Sequence, residues 1–257
     1  MSQTTLQADP LHKRNIRQVG FTRLVAVEVR KLVDTRSSLA IFAVLAFIAA
    51  ALVVGLAVIG TRQGIPVTFA SLAGSIGLFT ALAMPLIGIM GMTSDTAHRT
   101  TLVYYPLLRG RAGQFWAKVL AAALLAVALQ LFVFLLAALV AAVLGGGGAG
   151  AFDGAGQEVW TGLAACLLST MFGVALAAAI RRTALAIVAV ILVSLVGNGL
   201  ILTLLPDASG YLSTITAVGA LLGGPGAPTA LEVVSSLTLW YVLPLAAGWW
   251  ITEKSEA

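Results

Sequence analysis

The side chains able to do chemistry in this chain are few, and their positions exclude most reactions. The only two histidines, His12 and His98, lie in polar segments, so they cannot pair on a haem between apolar helices and read as solvated surface residues. There is no H-E-x-x-H pair for metal-assisted hydrolysis and no G-x-S-x-G elbow for acyl transfer. No Gly-Lys pair occurs anywhere in the sequence, which removes a G-x-x-x-x-G-K-[ST] phosphate loop. The chain is therefore expected to have no catalytic residue, no metal ligands and no cofactor of its own, and not to hydrolyse ATP. Cys166 is the single cysteine and sits in an apolar run, so no internal disulfide can form and no redox compartment is legible. The stretch GGGGAGAFDGAGQE at 145–158 has no following Lys and no strand before it, and reads as a flexible loop rather than a phosphate cradle.

Milder polar groups punctuate the apolar runs: Gln130, Ser169, Thr170, Ser194 and Asn198. Such groups usually hydrogen-bond to neighbouring helices, and the alternative is that they line a substrate path. Gln130, Ser194 and Asn198 are the candidates for the path, with Asn198 in VGNGL foremost. No relay of Asp, Glu, Lys or Arg of the kind that ion-coupled pumps use runs through these segments. If the chain moves a substrate, the energy must come from another subunit. The one polar segment with dense patterning is SDTAHRTTLVYYPLLRGRAGQFWAK, residues 94–118. Arg99, Arg109, Arg111 and Lys118 offer charge there to an acidic partner surface, and Tyr104, Tyr105 and Pro106 offer compact, rigid contacts.

The elements that must position these groups are helices in lipid. Of 257 residues 60% are hydrophobic and 10% charged, against about 25% charged in a soluble domain. The net charge of +5 is spread beside apolar runs rather than gathered in a basic domain, so no nucleic acid is expected as a partner. A membrane helix needs about 20 mostly apolar residues, and six windows qualify: 39–60, 69–92, 119–144, 160–180, 183–205 and 233–251. The expected fold is all-α, a polytopic membrane protein of six spans preceded by an interfacial amphipathic helix. Its first apolar run is too long for a typical signal-peptide core, and no cleaved signal is expected.

Placing both termini in the cytoplasm puts fourteen of the fifteen Lys and Arg residues on the inner side, leaving Arg62 outside. That satisfies the positive-inside rule. The expected organisation is then a cytoplasmic tail and interfacial helix (1–38), a spanning domain (39–251) and a short cytoplasmic tail (252–257). The spanning domain carries the cytoplasmic loop 94–118 and external loops 61–68, 145–159 and 206–232. Pro85 and Pro244 are expected to bend the second and sixth spans. YLSTITAVGALL within 206–232 rises only about 18 Å as a helix, too little to cross, and reads as an interfacial or re-entrant helix. In FTRLVAVEVRKLVDTR (21–36), Phe21, Leu24, Val25, Val29 and Leu32 share one face, with Arg23, Arg30 and Asp34 opposite. Glu28 falls in the middle of the apolar face. It either pairs locally with Lys31 or anchors a neighbouring segment.

An inner-surface amphipathic helix, six spans and a long basic loop after the second resemble the ABC type-2 permeases, the membrane subunits of one class of ATP-binding-cassette exporters. In that family the loop carries an acidic residue, a Gly-Thr, a Pro, a basic residue and a Lys entering the third span. Asp95, Thr100, Pro106, Arg109 and Lys118 occupy similar positions here. Asp stands for the usual Glu, and Arg99 stands where Gly would precede Thr100. The resemblance implies that Asp95, Arg99, Thr100, Tyr104, Tyr105, Pro106, Arg109 and Arg111, with Glu28, couple the spans to an ABC ATPase subunit that holds the ATP and Mg. It also implies a second permease chain, identical or paralogous, and export of an amphipathic or lipid-like cargo such as a drug, lipid or peptide across the cytoplasmic membrane. The rival expectation is a non-transporting scaffold or assembly factor that docks membrane lipid or a partner through the same basic loop.

Overall fold

The computed structural model describes residues 20–97, 111–145, 148–222 and 227–254. Every regular element among them is helical. In chain order these are α1 (Phe21–Asp34), α2 (Arg36–Gln63), α3 (Phe69–Ser75), α4 (Gly77–Ala97), α5 (Arg111–Leu144) and α6 (Ala155–Ile180). They continue with α7 (Thr183–Ile191), α8 (Asn198–Leu204), α9 (Ser209–Leu212), α10 (Thr216–Leu222), α11 (Ala230–Leu237) and α12 (Leu243–Lys254). π-helical segments, Leu192–Gly197 and Thr238–Val242, join α7 to α8 and α11 to α12.

Among the described residues, five stretches are long and apolar enough to cross a membrane: Ser38–Gln63, Ala112–Leu144, Gly150–Ile180, Thr183–Leu204 and Ala230–Glu253. The pair Phe69–Ser75 and Phe79–Ser94 passes with them when taken as one span bent by 57°. Side chains such as Phe47, Val143 and Leu204 stand exposed on the outside of the bundle, as a lipid solvent allows.

The sharp bend in the second apolar window is not at Pro85. It falls at Ile76, where α3, opened by a reciprocal capping box between Thr68 and Ser71, ends and a new helix starts. Pro85 lies inside α4. Pro244 behaves differently: its ring would strike the carbonyl four residues back, that of Trp240, and the π segment Thr238–Val242 spans that carbonyl. Widening the helix there is one way to absorb the clash.

Helix α6 is the centre of the bundle, and small residues let its neighbours approach closely. A Cβ on Gly173 of α6 would meet Pro85 Cα at 2.6 Å, and one on Gly88 of α4 would meet Val174 N at 2.8 Å. On other sides of α6, a Cβ on Gly162 would meet Phe134 of α5 at 2.7 Å, and one on Gly248 of α12 would meet the Ala178 carbonyl carbon at 2.6 Å. Thr183 donates to Thr93 at 2.9 Å and ties the start of α7 to α4. The turn from α6 to α7 is two residues, with Arg181 at φ 58° and its N–H bonded to the Ala177 carbonyl, a left-handed helix stop.

Helix α5 has 34 residues, about 51 Å of rise against about 30 Å of hydrocarbon, so it extends well beyond the apolar window at 119–144. Its first turns pack beside α1, where Leu24 Cδ1 lies 3.6 Å from the Cβ position of Gly113. The polar segment expected as one loop over 94–118 is therefore helical at both ends. Phe115 and Ala117, ahead of the apolar window in α5, turn inward. The Gly-rich loop expected at 145–158 is also partly ordered by packing: a 3-10 turn at Ala149–Phe152 stacks Phe152 on Phe69 at 6.4 Å, and α6 begins at Ala155.

A candidate substrate cavity between the helices

Two ends of the bundle differ. At one, α1 lies beside the start of α5, and α4 ends there at Ala97. At the other, α9 and α10 fold back over the helices. Between α3–α4, α5, α6, the α7–α8 span and α10 lies a cavity of about 330 Å³. It occupies the half of the bundle under α10. Its lining includes Thr80, Gln130, Glu158, Ser169, Phe172 and Ser194, along with Asn198, Thr214 and Tyr241.

All three residues assigned to a substrate path thus meet at one cavity, though they do different things. Gln130 is 3% exposed, and its Oε1 accepts a hydrogen bond from Thr80 Oγ1 at 3.3 Å. Its Nε2 makes no hydrogen bond to a described residue and lies near the Cβ position of Gly162, at 3.7 Å. Ser194 sits within the π segment, and its carbonyl accepts from Asn198 Nδ2 at 3.2 Å. The Asn198 amide is fully engaged: Nδ2 also donates to Thr214 Oγ1 at 2.8 Å. Its Oδ1 accepts from Ser213 Oγ at 3.0 Å and from Thr214 N at 3.1 Å. Asn198 pins the segment over the cavity rather than offering a free group to a ligand. Thr170 bonds back to the Cys166 carbonyl at 2.8 Å and Ser169 faces the cavity.

The piece expected as one helix over 211–222 is two, α9 and α10, broken at Ser213–Ile215. A break in apolar surroundings leaves carbonyls that must find donors, and one neighbouring stretch supplies them. Ser235 Oγ donates to the Tyr211 carbonyl at 3.0 Å, Trp240 Nε1 to that of Leu212 at 2.6 Å, and Ser236 Oγ to that of Ser213 at 2.7 Å. With Asn198 on the other side, the break is held from both flanks.

Sequence reasoning placed Glu158 in an external loop. It lies in the first turn of α6, beside Gly74, whose Cβ position is 3.6 Å from its Oε2. Glu158, Thr161, Ala165, Ser169 and Phe172 recur at helical spacing on the cavity face of α6. Tyr241 was missed for another reason. Like Ser194, it lies in a π segment, which shifts the register of a span and recurs at functional sites.

At the opposite end, Glu28 is 4% exposed in the middle of the buried face of α1, between Val25 and Leu32. Lys31 Nζ donates to its Oε1 at 2.7 Å. The local pair forms, on a helix that is itself packed against α5. On the outward face Arg30 Nε donates to Asp34 Oδ2 at 2.8 Å, and that bond and charge raise the guanidinium pKa above its ordinary value. Asp95 is in the last turn of α4 and Arg111 opens α5. Arg99, Thr100, Tyr104, Tyr105, Pro106 and Arg109 lie outside the described residues. Comparison with protein-family models and with curated proteins returned no match.

Proposed function

We propose that this chain is the permease subunit of an ABC exporter, with six spans, both termini in the cytoplasm, and α1 along the inner membrane surface. The observation that carries this reading is the division of labour along the bundle axis. A cavity able to hold a small amphipathic molecule occupies one half. The ends of α4 and α5 that the basic segment joins lie at the other end, beside α1. An exporter needs both features, separated and joined by continuous helices; α4, α5 and α6 run between them. The sequence holds no phosphate loop, so ATP and Mg belong to a partner ATPase, and a second permease chain completes the pathway.

Residues 94–113, with Arg99, Thr100, Tyr104, Tyr105 and Pro106, form the coupling element in this reading. Reversing Arg109 and Arg111 to Glu sets like charges against an acidic cleft, at a cost of several kcal/mol. The complex with the ATPase then separates, or retains only unstimulated hydrolysis. Tyr105→Ala trims an aromatic anchor, commonly worth about 2 kcal/mol or more, and lowers cargo-stimulated ATP hydrolysis without changing insertion. The measurement is co-purification with the ATPase followed by hydrolysis assays with and without cargo. A doubly reversed chain that still captures a fully stimulated ATPase overturns the assignment.

A further inference from the structure

We infer that the cavity under α10 selects a lipophilic cation that carries a hydrogen-bond acceptor close to its charge. The inference deepens the exporter reading, on which it rests for the cavity's role, but it concerns binding by this chain alone. Three observations carry it. First, the cavity is mostly apolar in its lining and contains one formally charged side chain among the described residues, Glu158, with no Lys or Arg. Second, the Glu158 carboxylate has no hydrogen-bond or ion-pair partner among the described residues, and it stands in the first turn of α6 at the cavity. Third, Gln130 is nearly fully buried as a residue, yet only its Oε1 is bonded. Its carboxamide N–H groups have no protein acceptor among the described residues and reach the cavity, where they are donors open to a ligand's acceptor.

The geometry orders these features. Gly162 lies one helical turn, about 5.4 Å, beyond Glu158 on the same face of α6, and the Gln130 nitrogen is beside Gly162. A cation at Glu158 therefore places an acceptor about one turn away at Gln130. Farther along the same face, Ser169 and Phe172 lead to Tyr241, an apolar lane for a hydrocarbon tail. An anionic amphiphile would meet the carboxylate with no compensating cation, and a neutral one would leave it desolvated and unpaired. A volume of about 330 Å³ is at the small end of ligand sites, roughly 300–1,000 Å³, which suits a single-tailed molecule rather than a two-tailed lipid.

Decanoylcholine meets this description, with a quaternary ammonium, an ester carbonyl near it and one tail. Its neutral carbon isostere, 3,3-dimethylbutyl decanoate, differs only in charge. Binding of each to the full chain in nanodiscs is measured by equilibrium dialysis, corrected with empty discs. The expected result is that the cation binds about tenfold or more tighter than the isostere, and that Glu158→Gln removes this preference by weakening the cation and, with no carboxylate left to desolvate, not weakening the neutral ester. Gln130→Met weakens both esters, and a thermal melt of the variant separates that loss from unfolding. Equal binding of cation and isostere, no binding above empty discs, or a charge preference that survives Glu158→Gln would each overturn the inference. ATPase coupling plays no part in this measurement. A chain that binds the cation but couples to no ATPase refutes the exporter reading and keeps the site; a coupled chain indifferent to Glu158→Gln does the reverse.

Discussion

Gly173→Ala puts the packing of α6 against α4 to a direct test. The added methyl would sit 2.6 Å from Pro85 Cα and 2.7 Å from its carbonyl carbon, where carbon atoms prefer about 3.5–4.0 Å. These are main-chain atoms in the middle of a helix, so no rotamer change relieves the contact. The helices must separate by roughly 1 Å, and a gap of that size forfeits a quarter to a half of each dispersion contact along the seam. Overpacking of this kind costs about 1–3 kcal/mol, and the rigid neighbour places Gly173 at the upper end. Ala is the better helix former by about 1 kcal/mol, which leaves a net destabilisation of about 2 kcal/mol. Gly88→Ala on the facing helix should behave alike. Gly55→Ala, in α2 with nothing within 4 Å of the new methyl, should be neutral or stabilising. Thermal unfolding of the three purified variants in one detergent gives the comparison. If Gly173→Ala melts with Gly55→Ala, the close approach of α4 and α6 is not a feature of the folded protein.

Lys31→Met should destabilise by about 3 kcal/mol, because it leaves the buried Glu28 carboxylate uncompensated; adding Glu28→Gln should recover most of the loss in chemical denaturation, and a double variant no better than the single would refute the pairing. Ser236→Ala removes the donor to the Ser213 carbonyl at a fully buried site, and Asn198→Ala removes the opposite flank. Each should cost about 1–3 kcal/mol and speed hydrogen exchange over 209–222, an acceleration whose absence would free the break from these bonds. In a background with Cys166 removed, Ser209→Cys should label with an impermeant thiol reagent from outside intact cells and Ala112→Cys should not; labelling at Ala112 would invert the proposed orientation.

Hydropathy made the spans legible because lipid imposes a simple demand: backbone polar groups must be satisfied within the segment, so each run of about 20 apolar residues becomes a helix. The amphipathic face of α1 was legible for a related reason, since Val25, Glu28 and Leu32 keep helical spacing whatever they pack on. Packing partners were not. Nothing local marks Gly88 and Gly173 as meeting the backbone of a facing helix, whereas Gly55 meets nothing; the difference is tertiary. Nor did any proline mark the 57° bend at Ile76, where a capped helix ends and another begins. The break at Ser213–Ile215 depends on donors more than twenty residues away, at Ser235, Ser236 and Trp240, which no window across the break contains.

Glu158 shows why a site at the end of a span escapes a hydropathy window. The apolar run starts at about residue 160, so the acid was assigned to the loop before it. A helix does not start where hydrophobicity starts, however. Three residues before Glu158, Ala155 already opens α6 after the left-handed Gly154. An acid in the first turn agrees with the dipole of the helix that follows. Once that turn is helical, the 3.6-residue period carries its polar side chain onto the same face as Thr161, Ala165 and Ser169. A charged group can then face an apolar cavity without lying near the middle of the span, where its insertion would cost about 2.5–3.5 kcal/mol. The signal was present in the sequence as the spacing from Glu158 to Phe172. It becomes visible only when the helix, rather than the apolar run, is taken as the unit.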